Sequence, residues 1–240
     1  MRLDNYLVEN GFFDSRTKAK QAIERGEIYL NNKQVFKPAL IVEDKDLNIE
    51  YVYSNRFVSL GGYKLNKAIK EFNFDCNNLV VADIGASTGG FTDCLLQNGA
   101  KKVYPVDLND GLLHNRLKND HRVTPVIKNA RELTCLDFDE ELDLIVADLS
   151  FISITYVIEV FSKLLKSGKH LIILVKPQFE IGQKTRVKNG IVRDEKLHKF
   201  ACDNVENCAE RNGFAKLNST CAPIVDGKNI EFLFLFKKID

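Results

Sequence analysis

The sequence predicts an α/β fold in which an open, mostly parallel sheet is preceded by a small α+β unit. Three observations predict it. Apolar segments of strand and helix length alternate through most of the chain. Two strand-sized segments, Leu144–Ala147 and Leu171–Val175, are entirely apolar, as in parallel strands covered on both faces. The last two, Ala215–Cys221 and Ile230–Phe236, are joined without a helix, which indicates an antiparallel hairpin closing the sheet.

The composition is that of a globular chain with a substantial core. Of the 240 residues, 45% are hydrophobic and 28% are charged, which excludes a disordered chain. No apolar run approaches the roughly 18 residues of a membrane helix. The N-terminus has no apolar signal segment. We therefore expect a cytoplasmic protein with no membrane partner. The six cysteines form no C-x-x-C pair, so we expect reduced thiols and no bound metal.

Positive and negative charges are almost balanced, with a formal net charge of +1. Residues 1–58 hold nine basic and nine acidic side chains, and the remaining residues hold 25 and 24. A nucleic-acid footprint would therefore be a local patch and not a field of the whole molecule.

The first elements are two short helices. An apolar face runs over Leu3–Val8 and ends near Gly11. Ser15 is a candidate N-cap for a second helix over Arg16–Arg25, which Gly26 ends.

A hairpin and a further strand follow these helices. Glu27–Leu30 and Lys33–Val35 flank the turn Asn31-Asn32, and residues 47–52 alternate as a strand. Residues 53–58 have the composition of a linker. We place a first domain at residues 1–57 and a second at residues 58–240.

A residue pattern within the first domain resembles the S4-like RNA-binding domain. Over most of residues 1–52 it consists of Arg2-Leu3-Asp4, Gly11, Ser15-Arg16, Ala19, Ile23, Gly26, Asn31 and Lys33. The resemblance implies binding of structured RNA through shape and backbone contacts. The basic side chains that become candidate RNA contacts are Arg2, Arg16, Lys18, Lys20, Arg25, Lys33 and Arg56. A solvated charged face is the alternative interpretation.

The second domain alternates between strands and helices before its terminal hairpin. The predicted strands are Val80–Ile84, Val103–Val106, Leu142–Leu149 and Leu171–Val175. The predicted helices are Phe91–Gln97, Ile154–Leu165 and Lys196–Asn212.

A glycine-rich loop joins the first of these strands to its helix. It begins after Asp83 and contains Gly85, Ala86, Ser87, Thr88, Gly89, Gly90 and Phe91. The spacing is neither G-x-G-x-x-G nor a phosphate-binding G-K-[ST] loop. The next strand ends at Asp107, 22 residues after Gly85, where a carboxylate can bind ribose hydroxyls. This combination fits S-adenosylmethionine, which has a ribose and a cationic centre but no pyrophosphate. A purely structural glycine turn is the alternative.

Four charged residues lie at positions that are unusual for structural residues, and we consider them candidate catalytic residues. Lys64 follows Gly61-Gly62 at a helix start, Asp148 and Lys176 each follow an apolar strand, and Glu231 enters the last strand. The carboxyl ends of parallel strands meet in one crevice, which brings Asp148 and Lys176 to the glycine-rich loop. Each residue alone also has an ordinary interpretation, as a solvated lysine, a helix cap or an exposed edge residue.

These four residues resemble the Lys-Asp-Lys-Glu tetrad of FtsJ-like ribose 2′-O-methyltransferases. The stretches that resemble the TlyA family are Gly85–Asp93, Asp148–Ser153, Val175–Glu180, Gly190–Asp194 and Asn229–Leu233. Members of that family join an S4-like domain to a Rossmann-like class I S-adenosylmethionine-dependent methyltransferase and were once labelled haemolysins. The resemblance implies methylation of cytidine 2′-hydroxyls in ribosomal RNA. It also implies further cofactor contacts at Leu108, Asn129, Ala130 and Asp148.

The resemblance gives each tetrad residue a role in a reaction that is mainly one of alignment. Lys176 is the expected general base, and Asp148 orients it beside the methyl group. Lys64 steadies the 2′-hydroxyl and its developing negative charge, and Glu231 completes the charge network. No metal is required.

Two positions depart from the family pattern. Leu60 stands where a basic residue is usual, which puts one RNA contact in doubt, and Leu112 replaces a glutamine beside the cofactor. The chain resembles the shorter form of the family, which implies 23S RNA of the large subunit as the substrate.

Three other functions remain as alternatives. They are a non-catalytic ribosome assembly factor, a methyltransferase for tRNA or protein, and a membrane-active haemolysin. The intact tetrad argues against the first, and the absence of an export signal or spanning segment argues against the last. We expect no obligate protein partner.

Overall fold

The computed structural model describes residues 1–24, 26–43, 48–51, 56–182, 187–224 and 227–239. The chain forms two compact units, residues 1–56 with 225–228, and residues 57–224 with 229–240. Among the described residues, no helix is long and apolar enough to cross a membrane.

The first unit contains two helices and a three-stranded antiparallel sheet. Its elements are α1 (Leu3–Glu9), α2 (Arg16–Glu24), β1 (Ile28–Leu30), β2 (Lys33–Val35) and β3 (Ile49–Tyr51), with strand order β2-β1-β3. Ser15 Oγ accepts a 3.4 Å hydrogen bond from the Lys18 amide, as expected of an N-cap. Asn31 and Asn32 both have positive φ, which suits the tight turn between β1 and β2.

The core of this unit comes from the apolar faces that the sequence predicts. Leu3 and Leu7 of α1, Ile23 of α2 and Ile28 of β1 are fully buried. Of the predicted helix and strand ends, Arg25, Leu47 and Val52 lie outside the described residues, as do residues 53–55 of the predicted linker.

The second unit is a seven-stranded sheet with helices on both faces. Its strands are β4 (Val80–Ile84), β5 (Lys102–Asp107), β6 (Val126–Ile127), β7 (Leu144–Ala147), β8 (His170–Val175), β9 (Phe214–Cys221) and β10 (Phe232–Lys238). Their order is β6-β5-β4-β7-β8-β10-β9. The first five strands are parallel, and β10 runs antiparallel to both β8 and β9. The predicted α/β sheet with its terminal antiparallel hairpin is confirmed.

The described residues of this unit also form six α-helices. They are α3 (Leu60–Glu71), α4 (Gly90–Gln97), α5 (Asn115–Lys118), α6 (Thr155–Leu164), α7 (Pro177–Glu180) and α8 (Glu195–Arg211). Side chains of α6 and α8 pack on one face of the sheet, and side chains of α3 and α4 pack on the other. Within β7, Ile145 faces the first layer and Val146 the second, as alternation along a doubly covered strand requires.

Two predicted strands differ from the structure by two residues at each end, and one strand was not predicted. The strand predicted at Leu142–Leu149 is only Leu144–Ala147, because the Asp143 carboxylate bonds the first amide of β4 and does not continue β7. The last strand begins at Phe232, so Glu231 lies just before it. Strand β6 was not predicted, because its two residues are too few to show an alternating pattern.

The strand order sets the position of the functional site. The chain leaves β4 toward β5 on one side and later places β7 on the other side. In open parallel sheets such a reversal leaves a crevice at the carboxyl ends of the strands.

At the opposite end of the parallel strands, Asp143 connects the start of β4 with the residue before β8. Its carboxylate accepts a 2.9 Å hydrogen bond from the Val80 amide and forms a 2.5 Å ion pair with Lys169. Burial raises the pKa of Asp143, but hydrogen bonds from Lys169 and Val80 outweigh it, so that the pKa lies below its ordinary value.

We expect Asp143→Asn to lower the free energy of unfolding near neutral pH by about 1–3 kcal/mol, because the Asp143 carboxylate accepts charge-assisted hydrogen bonds. A lowered folded-state pKa gives stability that is present above the unfolded-state pKa and lost as the pH falls. Urea denaturation of both proteins therefore should show a smaller difference in acid. An equal difference at all pH values would contradict this assignment.

Candidate functional site

The glycine-rich loop forms where the ends of β4 and β7 approach each other. Gly85 has a φ of +81°, and a Cβ there would lie 2.8 Å from the main-chain oxygen of Asp148. The amides of Gly85 and Ala86 both donate to the Val106 carbonyl, at 2.9 and 3.1 Å. This loop therefore needs a residue without a side chain at its first position.

Asp107 closes the other side of the loop. Its carboxylate accepts hydrogen bonds from the amides of Ser87, at 2.8 Å, and Leu108, at 2.7 Å. The carbonyl of Thr88 accepts a 3.2 Å bond from the His114 amide. These bonds fix the carboxylate at the end of β5.

A cavity of about 510 Å³ opens at the carboxyl ends of β4, β5 and β7. It brings together seven residues predicted as cofactor contacts, which are Gly85, Ser87, Asp107, Leu108, Asn129, Ala130 and Asp148. Leu112, noted above as a departure from the family pattern, also lines it. The cavity is also lined by Lys128, Arg131, Ser150, Phe151 and Ile152, which were not predicted as cavity residues.

A second cavity of about 190 Å³ shares Gly85, Ser87, Asp148 and Ser150 with the first. The other predicted residues along it are Asp83, Ala86, Thr88, Gly90, Phe91 and Lys176. Ser59 and Gly61 from the start of α3 line it too and were not predicted. Gly89 lines neither cavity. It forms the turn into α4 with a φ of +90°, where a Cβ would lie 2.2 Å from Leu117.

Asp83 is a fully buried carboxylate on the wall of the smaller cavity. Its Oδ2 accepts hydrogen bonds from the amide and hydroxyl of Thr92, at 2.8 and 2.6 Å. Its Oδ1 has no hydrogen-bond partner among the described residues. Burial raises the pKa of Asp83 to about 7, despite the bonds from Thr92, and the charges of Asp148 and Asp107 add to the effect. The site thus offers a cationic ligand an unpaired acceptor.

Lys176 follows β8, and its side chain reaches the loop that follows the neighbouring strand β7. Its Nζ forms a 2.5 Å ion pair with Asp148 and donates a 2.7 Å hydrogen bond to Ser150 Oγ. The residue is 7% exposed. One ion pair and one hydrogen bond to the same loop therefore fix the amine of Lys176 beside the smaller cavity.

Lys64 and Glu231 form a second ion pair, with 2.6 Å between Nζ and Oε2. The start of α3, two residues before Lys64, packs closely against the glycine-rich loop. A Cβ on Gly62 would lie only 2.9 Å from the Gly90 carbonyl oxygen. Phe232 pairs with Val175, so the main chains of Glu231 and Lys176 are the next residues at the same edge of the sheet. Neither Lys64 nor Glu231 lines the two cavities.

An exposed aromatic side chain, that of Phe151, lies at the larger cavity. It is 89% exposed, has a φ of +69°, and its ring centroid lies 5.7 Å from that of Phe179. A positive φ is a rare conformation for a bulky residue and often marks a functional site. The stretch Asp148–Ser153 contains this residue, but no local sequence signal shows its backbone conformation.

Among the described residues, no group of three or more His, Cys, Asp or Glu side chains is arranged to hold a metal ion.

Two of the predicted RNA contacts surround one buried carboxylate in the first unit. Arg2 bonds both oxygens of Asp4, at 3.0 and 2.9 Å, and Arg16 Nε lies 3.0 Å from Oδ2. Hydrogen bonds from Arg2 and then Arg16 lower the pKa of Asp4 against the effect of burial. The two guanidinium groups remain half exposed.

Four other predicted RNA contacts lie in the described part of the first unit. Lys18 pairs with Asp14 at 2.6 Å, and Lys20 lies 3.8 Å from Glu24. Lys33 and Arg56 are exposed, and Arg25 lies outside the described residues.

Two family models match this chain, each over a different part of it. Residues 57–239 match the FtsJ-like methyltransferase family, and residues 1–48 match the S4 domain.

Curated relatives match over nearly the whole chain. "Hemolysin A" of Brachyspira hyodysenteriae is 41% identical, over 98% of this chain and 99% of the relative. The "16S/23S rRNA (cytidine-2'-O)-methyltransferase TlyA" of Mycobacterium tuberculosis is 35% identical, over 100% and 91%. The "23S rRNA (cytidine-2'-O)-methyltransferase TlyA" of Campylobacter jejuni is 30% identical, over 99% and 100%.

Solved structures agree with these matches. A "Putative hemolysin from Streptococcus thermophilus" is 36% identical with a TM-score of 0.76, over 100% of this chain and 89% of that chain. An S-adenosylmethionine dependent methyltransferase from Mesorhizobium loti is 15% identical with a TM-score of 0.55, over 75% and 100%. This second similarity concerns the fold alone.

The burial of Lys176 makes its ion pair testable. We expect Asp148→Asn to lower the free energy of unfolding by about 3 kcal/mol, because it leaves a buried ammonium without its counter-charge. Adding Lys176→Met should recover most of this loss. Guanidinium denaturation of the wild-type protein, the two single variants and the double variant gives the coupling free energy between Asp148 and Lys176. A double variant less stable than Asp148→Asn alone would exclude the pairing.

Proposed function

The chain belongs to the FtsJ-like methyltransferase family, with an S4 domain at its N-terminus, and we propose that it methylates the ribose 2′-hydroxyl of a cytidine in ribosomal RNA with S-adenosylmethionine. The observation that carries this proposal is Lys176, held by Asp148 and Ser150 on the wall of the smaller cavity. A fixed amine between a cofactor loop and an open face suits a base for a hydroxyl nucleophile.

We infer that the substrate is 23S RNA of the large ribosomal subunit. Both relatives named as rRNA cytidine-2'-O-methyltransferases have 23S rRNA in their names, and one also has 16S. The S4 domain supports a structured RNA substrate, with Arg2 and Arg16 available for phosphate contacts. Such a substrate would place the reaction in the cytoplasm, where ribosomal subunits are.

The residues of the two cavities fit S-adenosylmethionine. Asp107 can bind the ribose hydroxyls, and Asn129 with Ala130 can border the adenine. The unpaired Oδ1 of Asp83 suits a cationic group of the cofactor. When bound, the cofactor supplies an electrophilic methyl group. A cavity of about 510 Å³ is within the range of small-molecule sites.

In the proposed reaction, the protein aligns the 2′-oxygen with the methyl carbon and manages one proton. Lys176 must first release its ammonium proton to solvent. Its neutral amine would then accept the hydroxyl proton as the O–C bond forms and the bond between the methyl carbon and the cofactor sulfur breaks, while Asp148 and Ser150 keep Nζ in place. Lys64, held by Glu231, stabilises negative charge on the oxygen. The exposed ring of Phe151 provides a stacking surface for a base that has left its helix.

Methyl transfer to purified, unmodified ribosomal subunits tests the proposal. We expect labelled methyl in 50S RNA with the wild-type protein, and a loss of about 10²- to 10⁴-fold for Lys176→Ala, which removes the base. Lys169→Ala is the matched control, since Lys169 pairs with Asp143 at the opposite end of β8.

The two subunits give different outcomes. Label in 30S RNA as well would extend the substrate to 16S. No label in either subunit, with RNA and cofactor binding intact, would favour a non-catalytic assembly factor. Equal loss in Lys169→Ala and Lys176→Ala would remove the special role of Lys176.

Cofactor affinity should depend on pH through Asp83. Its pKa of about 7 means that the carboxylate is mostly protonated below that pH. A cationic ligand stabilises the ionised form, so we expect S-adenosylmethionine to bind more weakly by up to about tenfold per pH unit as the pH falls below the pKa of Asp83.

Isothermal titration calorimetry across this pH range measures the effect. Asp83→Asn should bind more weakly above the pKa and show a flatter pH profile. If both proteins show the same profile, Asp83 does not contact the cofactor cation.

A further inference from the structure

The loop between β7 and α6 has an unusual conformation that needs support. Leu149, Ser150, Phe151 and Ile152 from this loop all line the larger cavity. Phe151 has a φ of +69°, which a bulky side chain rarely adopts. Such a conformation persists only where neighbouring contacts hold the chain on both sides of it.

The first of these contacts lies before Phe151. Lys176 Nζ donates a 2.7 Å hydrogen bond to Ser150 Oγ. The catalytic residue therefore restrains the loop on one side.

The second contact lies after Phe151 and comes from Glu180, the last residue of α7. Its carboxylate accepts hydrogen bonds from Ser153 Oγ, at 2.5 Å, and from the Ile154 amide, at 2.9 Å. Glu180 is 6% exposed. The reaction described above makes no use of this carboxylate.

We propose that Glu180 is a positioning residue for methyl transfer, because its carboxylate holds the far side of the loop and keeps Ser150 and Phe151 in place at the cavities. This inference rests on the proposed function. Lys176 and Glu180 lie on one short segment, and Ser150 and Ser153 lie on the facing loop. One hydrogen bond before Phe151 and two after it thus join the same two segments.

A purely structural role is the competing interpretation. Ile154 is the N-cap residue of α6 and has no side-chain capping bond of its own. Glu180 could serve only as its substitute cap. Burial also raises the pKa of Glu180, against the bonds from Ser153 and Ile154, as in any desolvated carboxyl. The test must therefore separate loop position from stability.

The protein contains no tryptophan, so Phe151→Trp introduces a single fluorescent reporter in the loop. In that background, Glu180→Ala should increase acrylamide quenching of the introduced indole and lower its fluorescence anisotropy. Glu180→Gln should change both less, since its amide keeps an acceptor for the Ile154 amide. Ser153→Ala, which removes one of the two bonds, gives an intermediate case that keeps the test valid if Glu180→Ala does not fold.

Steady-state kinetics with Phe151 intact supplies the second measurement. We expect Glu180→Ala to lower kcat by about 10- to 100-fold, with a smaller change in KM for RNA, and Glu180→Gln to retain most activity. Asp143→Asn is the matched control, because Asp143 also caps the start of an element but at the opposite sheet edge.

The outcomes separate the possibilities. An unchanged kcat in Glu180→Ala, or an equal loss in Asp143→Asn at equal loss of stability, would overturn the proposal. Unchanged quenching and anisotropy would overturn it as well. If the wild-type protein transfers no methyl group, the proposed function fails, and the fluorescence still decides whether Glu180 holds the loop.

Discussion

The close approach of β4 and β7 at their carboxyl ends is the constraint on which the site depends. Because Gly85 has no side chain, its Cα can lie against the main-chain oxygen of Asp148. The loop that follows β4 and the loop that follows β7 therefore lie side by side and line the same cavities. Both cavities are lined by Gly85 and Asp148 for this reason. A larger residue at position 85 would separate the proposed cofactor site from the proposed catalytic lysine.

Both signs of charge line the site. Asp83, Asp107 and Asp148 lie on the cavity walls together with the basic side chains Lys128, Arg131 and Lys176. Lys176 and Lys64 each pair with a carboxylate at the same edge of the sheet, where the anionic RNA would meet the protein. Pairing keeps both lysines in fixed positions. The reaction proposed here needs this fixed geometry more than it needs any large net charge.

In the first unit, ion pairs also hold basic side chains in defined positions. Asp4 is buried and holds the guanidinium groups of Arg2 and Arg16. A chain with a net charge of +1 has no strong field with which to attract RNA. In the proposed complex with RNA, two arginines whose positions are set before binding would lose less side-chain entropy on contact with a phosphate. The unit thus fits recognition of RNA by shape and backbone contacts.

Local sequence by itself determined the apolar strands and the glycine-rich loop, whereas the four tetrad residues came from the resemblance to a known family and their catalytic roles stay a prediction. These features depend on neighbours in the chain, such as the apolar run at β7 or the glycines after Asp83. Only the tertiary structure decided that Lys64 meets Glu231, 167 residues away, that Asp83 keeps an oxygen without a partner among the described residues, and that Glu180 reaches Ser153. Packing between distant segments sets those contacts and the positive φ of Phe151, and no short stretch of sequence contains that information.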